Sequence, residues 1–400
     1  MSIIPTDPIW IDQDADLAEL CERWSQQAAI AVDTEFMRSD TFYPIAGLIQ
    51  VGDGKGCYLI DPLAITDFEP FRQLMLNPAV TKVLHACSED LEVFQRLLGV
   101  VPEPLFDTQI AAAFAGLGFS LGYAGLVKAL LNIEIPKSET RSDWLQRPLA
   151  VAQLKYAALD VAHLLIVYGK LVQTLREKER LQWVADDCAE LVRNARQEPD
   201  FLSYYLKVGS AWKLRRRELA ILQQLCHWRE VEARARDLPR NRLAKENALW
   251  EIARWQPTEL AALQRVNDLP SRTLDRYGEQ LLAIVKNGLE EDDESAWPER
   301  LPAPLGREHT SLLKALKRLV RERAQQLQVP PELLVRKREY EALVRSGFDS
   351  GDYHLPERLK GWRHPVVGEA LLALASEHEA TRPADTGTEN AADSAPTEDL

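Results

Sequence analysis

The chain has 400 residues, of which 46% are hydrophobic and 27% charged, with a formal net charge of −13. That length exceeds one ordinary domain. No run of 18 apolar residues marks a membrane span, and no basic-then-apolar leader opens the chain, so a cytoplasmic protein of two or three domains is expected. Cys21, Cys57, Cys87, Cys188 and Cys226 form no C-x-x-C pair and are odd in number. This speaks against a disulfide framework or a zinc knuckle and for buried small hydrophobes.

In chain order, residues 28–33 (AAIAVD), 47–52 (GLIQVG) and 56–61 (GCYLID) read as short strands, with Gly52, Asp53 and Gly54 as a hairpin turn between the second and third. A strand at 81–84 leads into a helix beginning near SEDLEVFQRLL, with Ser88 as its expected N-cap. A strand at 104–107 precedes an apolar helix over 108–115, where Asp107 is a natural cap. Helical patterns follow at 121–131 and from about 149 to 178. Strands that then alternate with helices predict a mixed α/β sheet layered with helices.

From about residue 205 the strand signals stop and amphipathic helical patterns take over. Residues 231–252 can be laid over 322–343 at a shift of 91, matching Pro239 to Pro330, Leu243 to Leu334 and Lys245 to Arg336. Two copies of a helix, Pro-marked turn and helix predict two small all-helical domains. The expected organisation is therefore a first domain over 1–204, helical domains over 205–290 and 307–376, a linker at 291–306, and a disordered acidic tail at 377–400. Charge follows this division. Residues 1–200 carry 17 Lys and Arg against 29 Asp and Glu, whereas residues 201–290 carry 16 against 11. An acidic first half can still handle nucleic acid if its acids hold metal ions.

The acids fall in a pattern. In AVDTEF, Asp33 and Glu35 share one strand face and Thr34 points to the opposite layer, where a packing role is expected. Two like charges about 4 Å apart repel by roughly 4 kcal/mol at an effective dielectric near 20. Taken alone, the pair reads equally as two solvated acids at a strand end. In VLHACSEDLEVF, Asp90 occupies the first turn of a helix, as helix-dipole acids commonly do, with Glu89 its competitor for any role. In QLKYAALDVAHLL, Tyr156 and Asp160 are four apart on an apolar helix, where an acid is costly to bury without a partner. Scattered hard oxygen ligands of this kind suit Mg²⁺ or Mn²⁺, and two such ions form a phosphodiester-cleaving arrangement.

VDTEF, HACSEDLEVF and YAALDVAHL, in that order, resemble the three exonuclease motifs of the DEDD superfamily, and the tyrosine four residues before the last acid resembles its DEDDy branch. The stretch SDWLQRPLAVAQLKYAALDVAHLL is similar to the ribonuclease D family, and AWKLRRRELAILQQLCHWREVEARARDLPRNRLAKENAL resembles the HRDC domain. The resemblance covers residues 25–180 and implies a ribonuclease-H-like α/β exonuclease domain followed by two HRDC-like domains. It implies a 3′→5′ exoribonuclease that trims tRNA precursors with single-stranded 3′ tails and releases nucleoside 5′-monophosphates with two divalent ions, Mg²⁺ or Mn²⁺. Asp33 would bridge both ions, Glu35 and Asp160 would hold the nucleophile side, and Asp90 the leaving-group side. Tyr156 would orient the attacking water rather than act as its base, since an unperturbed phenol titrates near 10. A DNA exonuclease of the same superfamily and a non-catalytic RNA-binding scaffold are the alternatives.

Candidate substrate contacts are His85, before the second motif, and the loop IPKSETRSDWLQRPL with Lys137, Arg141, Trp144 and Arg147, basic groups around an aromatic that suit a single strand. Lys207, Lys213, Arg215, Arg216 and Arg217 are candidate phosphate contacts in the first helical domain. His163 reads as a structural hydrogen-bonder. No membrane and no obligatory protein partner are expected.

Overall fold

The computed structural model describes residues 6–136, 142–348 and 350–381. The first half builds one sheet. β1 (Pro8–Ile11) and α1 (Asp14–Trp24) precede three consecutive strands, β2 (Ala29–Met37), β3 (Ile45–Gly52) and β4 (Cys57–Ile60). Then α2 (Glu69–Leu76), β5 (Thr81–Leu84), α3 (Ser88–Leu98), β6 (Leu105–Asp107) and α4 (Thr108–Ala115) alternate. The helices α5 (Tyr123–Leu131), α6 (Val151–Ala162), α7 (Leu164–Glu177) and α8 (Leu181–Arg196) complete the layer. The strand order is β1-β4-β3-β2-β5-β6, and β3 alone runs against the others. This is the mixed sheet expected from the alternation of strands and helices.

Strand alternation sorts the core into two faces. Ile30 and Val32 of β2 join Trp24, Phe71, Phe94 and Leu91 on the side of α1, α2 and α3. On the other side Leu48 and Leu59 pack against Trp144, Leu149 and Ala157. β1 and α1 lie where the sequence offered no assignment. The four-residue strand opens on a proline and is too short for a period to show, and it becomes a strand by pairing with β4. The helix expected over 149–178 breaks at His163, which is buried between α6 and α7. The whole stretch Val151–Glu177 is long and apolar enough, by length and composition, to cross a membrane. Here α6 lies on β2, β3 and β4 and α7 on β2 and β5, which accounts for its apolarity.

The helical half begins with a 3₁₀ segment at Phe201–Lys207 and continues through α9 (Arg216–Ala235), α10 (Arg240–Leu243), α11 (Glu246–Trp255), α12 (Leu260–Leu263) and α13 (Ser271–Glu290). Leu222, Leu225, Leu249, Ile252 and Leu281 form its core. Phe42, from the loop after β2, is buried in that same core, so the first helical domain and the sheet domain form one compact unit that ends at Pro304. The expected linker does not run free. Arg216 donates to the carbonyls of Glu294, Trp297 and Pro298, and Arg217 pairs with Asp292.

The second unit starts at Leu305 and contains α14 (Thr310–Leu327), α15 (Pro331–Leu334), α16 (Lys337–Gly347) and α17 (Glu369–Thr381). The 91-residue repeat is structural: α10 maps onto α15, and α11 starts where α16 does. α17 runs five residues into the stretch expected to be disordered from 377, because it packs along α14. Residues 382–400 lie outside the described residues.

Candidate active site

β2 projects Asp33 and Glu35 toward α6. Two glycines of β3 let that helix and the loop before it come close. The β2–β3 register slips between Glu35 and Phe36, which pair with Leu48 and Ala46, so Gly47 is the extra residue of a bulge. A Cβ on Gly47 would sit 2.7 Å from both Cβ and the carbonyl oxygen of Trp144, and one on Gly52 would sit 2.7 Å from the Val161 carbonyl oxygen. With no side chain in the way, α6 rests on β3 and delivers Tyr156 and Asp160 beside β2. One carboxylate oxygen from each of Asp33, Glu35 and Asp160 lies within 4.8 Å of the other two.

Asp90 comes from the opposite side. It is buried in the first turn of α3, where the Thr34 hydroxyl donates to its Oδ1. Thr34 therefore does more than pack; it ties the strand of Asp33 and Glu35 to the helix of Asp90. The turn before α3 is set by Asp107. Its carboxylate accepts the N–H groups of Ala86 (3.2 Å) and Cys87 (3.0 Å) while also capping α4 through Gln109 (2.7 Å) and Ile110 (3.2 Å). Ser88 is the first residue of α3, not its cap; Cys87 holds the cap position, with its own N–H bound to Asp107.

These groups line a cavity of about 260 Å³ that also contains Glu89, His85 and Tyr123, and among the described residues no Lys or Arg lines it. Burial, followed by the charges of Asp90, Asp160 and Glu35, holds the Asp33 carboxyl well above the usual range. Burial with Asp160 and Asp90 pushes Glu35 up to about 8. Asp90 and Asp160 are each raised to about 7, mainly by burial, although hydrogen bonds from Thr34 and Tyr156 respectively work against the rise. Burial and the neighbouring carboxylates raise the Tyr156 phenol, so it stays protonated and serves as a donor. Burial lowers His85, which keeps it neutral. The result is an all-oxygen donor set of crowded, buried carboxyls, which fits a hard divalent cation.

Tyr123 carries no sequence signal. Its hydroxyl donates to the Leu159 carbonyl at 3.1 Å and its ring lies against His85, but no motif spacing links it to the acids. His85 does line the cavity, with Nδ1 2.9 Å from the Thr108 hydroxyl. Trp144 does not offer a stacking surface: it is 2% exposed and packs behind Tyr156. Arg147 is likewise a staple, paired with Asp61 and donating to the carbonyls of Gly47, Trp144 and Gln146. Arg216 is engaged with the 294–299 segment, whereas Arg215 is exposed at the start of α9. Lys137 and Arg141 lie outside the described residues.

Residues 8–176 match the 3′-5′ exonuclease family, residues 218–285 the HRDC domain and residues 308–371 the ribonuclease D C-terminal HRDC domain. Ribonuclease D of Pseudomonas paraeruginosa is 50% identical over 363 residues, covering 91% of this chain and 96% of that protein. Ribonuclease D of Escherichia coli is 39% identical over 379 residues, covering 92% and 98%. The crystal structure of E. coli RNase D, described as an exoribonuclease involved in structured RNA processing, superposes with a TM-score of 0.86 at 38% identity, covering 92% of this chain and 99% of that one. With an exonuclease domain followed by two HRDC domains, the chain belongs to the ribonuclease D family and is a 3′→5′ exoribonuclease.

Proposed function

We propose that this exoribonuclease trims the 3′ ends of tRNA precursors and other structured RNAs with short single-stranded tails, releasing nucleoside 5′-monophosphates one at a time. The observation that carries this reading is the cluster of Asp33, Glu35 and Asp160 oxygens within 4.8 Å, flanked by Asp90, with no Lys or Arg among the described residues that line the cavity. The similarity to E. coli RNase D supports structured RNA as the substrate class.

Asp33, Glu35, Asp90 and Asp160 would hold two divalent ions, Mg²⁺ or Mn²⁺. When bound, such ions lower the pKa of a water and stabilise charge on the leaving 3′-oxygen. The chain's own residues set the rest. Thr34 holds Asp90 in place from β2. Tyr156 keeps its proton, can give its single O–H either to Asp160 or to a water it orients, and cannot deprotonate that water near neutral pH. The neutral His85 adds no positive charge that would compete with cations for the carboxylates.

The test is Asp33→Asn assayed on a 3′-tailed RNA and a matched DNA with Mg²⁺ or Mn²⁺. Loss of degradation with an unchanged fold is expected. Undiminished degradation by the variant would refute the metal-site assignment, and a wild type that prefers the DNA would refute the substrate.

A further inference from the structure

α14 is the second copy of α9, offset by 91 residues, and the two helices differ along one face. In α9 that face carries Gln223, Cys226, His227 and Glu230. It is covered: Cys226 and Glu230 are buried, Gln223 Nε2 donates to the Leu202 carbonyl at 3.2 Å, and the His227 ring lies 6.3 Å from Phe201. Glu230 is further held by Arg240 at 2.6 and 2.9 Å. In α14 the same four positions are Lys314, Lys317, Arg318 and Arg321, and all are exposed. The inward face is unchanged in character. Leu225 and Leu316 are buried, as are Ala233 and Ala324. The exchange of a buried contact face for four cations is therefore confined to one side of the helix.

Spacing makes these cations one patch. Residues at i, i+3, i+4 and i+7 share a helix face, and seven residues rise about 10 Å, which is within one Debye length at 0.1 M salt. Among the described residues the acid paired with the stripe is Glu322, 4.0 Å from an Arg318 side chain that is 75% exposed, a loose surface contact. Four adjacent cations repel one another, and on a chain of net charge −13 they stand out as a place for a polyanion.

We infer that this face of α14 binds the phosphate backbone of the RNA body, so that the second HRDC domain supplies affinity for structured substrates. The inference rests on the proposed function above in taking a structured RNA as the substrate. It also sets this face apart from the first helical domain, where Arg216 and Arg217 are taken up by residues 292–299.

The test uses the full chain with Lys314→Glu/Lys317→Glu, and with Lys314→Gln/Lys317→Gln as the milder pair. Substrates are a 3′-extended tRNA and an unstructured RNA of about six nucleotides. Both positions are exposed, so melting temperature should match wild type. The expected result is a KM for the tRNA raised about tenfold with kcat unchanged, a salt dependence of log KM shallower by about two charges, and hexamer kinetics within about twofold. Unchanged tRNA KM in both variants overturns the inference, as does an equal loss on the hexamer. Failure of the wild type to act on the tRNA would count against the proposed function instead, so the two are separable.

Discussion

The Thr34 hydroxyl donates to Asp90, joining the strand that carries Asp33 and Glu35 to the helix that faces it. A buried hydrogen bond to a charged group contributes about 1.5–3 kcal/mol, and here it also fixes where a carboxylate stands. Thr34→Val keeps the shape and removes the donor. Its expected effect is a kcat/KM lower by about 10- to 100-fold, with Thr34→Ser close to wild type. Equal kinetics for the valine and serine variants would show that the hydroxyl does not matter.

The raised carboxyls also predict how the metal-free protein responds to pH. Glu35, Asp90 and Asp160 hold their protons to about 8, 7 and 7 in the folded chain, whereas unfolded carboxyls titrate near 4. The folded state therefore binds more protons than the unfolded one across that window. The stability these groups contribute is full below about pH 4 and is lost as pH rises through about 7 to 8. A divalent ion binds the deprotonated folded site and restores the loss. Melting temperature measured with and without Mg²⁺ should shift more at pH 8 than at pH 5. The shift should vanish in Asp33→Asn. A larger shift at pH 5 would contradict the assignment.

The site was legible where chemistry follows local spacing. Asp33 and Glu35 two apart on a strand, and Tyr156 and Asp160 four apart on a helix, had to share faces once the elements formed. Contacts between distant segments were not legible. Asp107 serves amides 20 residues upstream, Thr34 reaches a residue 56 positions away, and Tyr123 enters the cavity from a helix with no motif of its own. The basic residues were misleading for the same reason. Composition marks Arg147 and Arg216 as candidates for phosphate, and only tertiary structure reveals the backbone carbonyls that already occupy them. In the fold, β1 was hidden because a four-residue strand has too little sequence to show a period.

Gly52 tests how closely α6 must approach the sheet. The methyl of Gly52→Ala would meet the Val161 carbonyl oxygen at 2.7 Å and Val161 Cβ at 3.1 Å, and helix backbone cannot rotate aside. α6 must lift, carrying Asp160 away from Asp33 and Glu35. Displacement on the order of 1 Å can cost about 100-fold in rate. The expected outcome is a kcat loss of that order with destabilisation of about 1–3 kcal/mol. Gly169→Ala in α7, with nothing within 4 Å of the new methyl, should leave kcat unchanged. Similar kinetics for the two variants would mean the close approach is not needed.

The last prediction concerns where the chain can be divided. The N–H groups of Phe42 and Tyr43 both donate to Asp237 Oδ1, at 2.8 and 2.9 Å. The Phe42 ring is buried in the helical core under the guanidiniums of Arg234 and Arg240, 4.5 and 4.7 Å from its centroid. Arg38, directly after β2, donates to the Phe42 carbonyl at 2.9 Å and pairs with Glu92 at 2.6 Å, two residues beyond Asp90. The loop thus anchors the helical domain to the edge of the candidate site. Cutting after residue 204 would expose Phe42 and release this loop, whereas cutting after 304 follows the boundary between the compact units. A fragment of residues 1–304 should unfold in urea in one transition. Phe42→Ala should lower its stability by about 3 kcal/mol and Asp237→Ala by about 1–2 kcal/mol. Two separated transitions, with Phe42→Ala moving only the helical one, would show that the two domains fold independently and that the loop does not couple them.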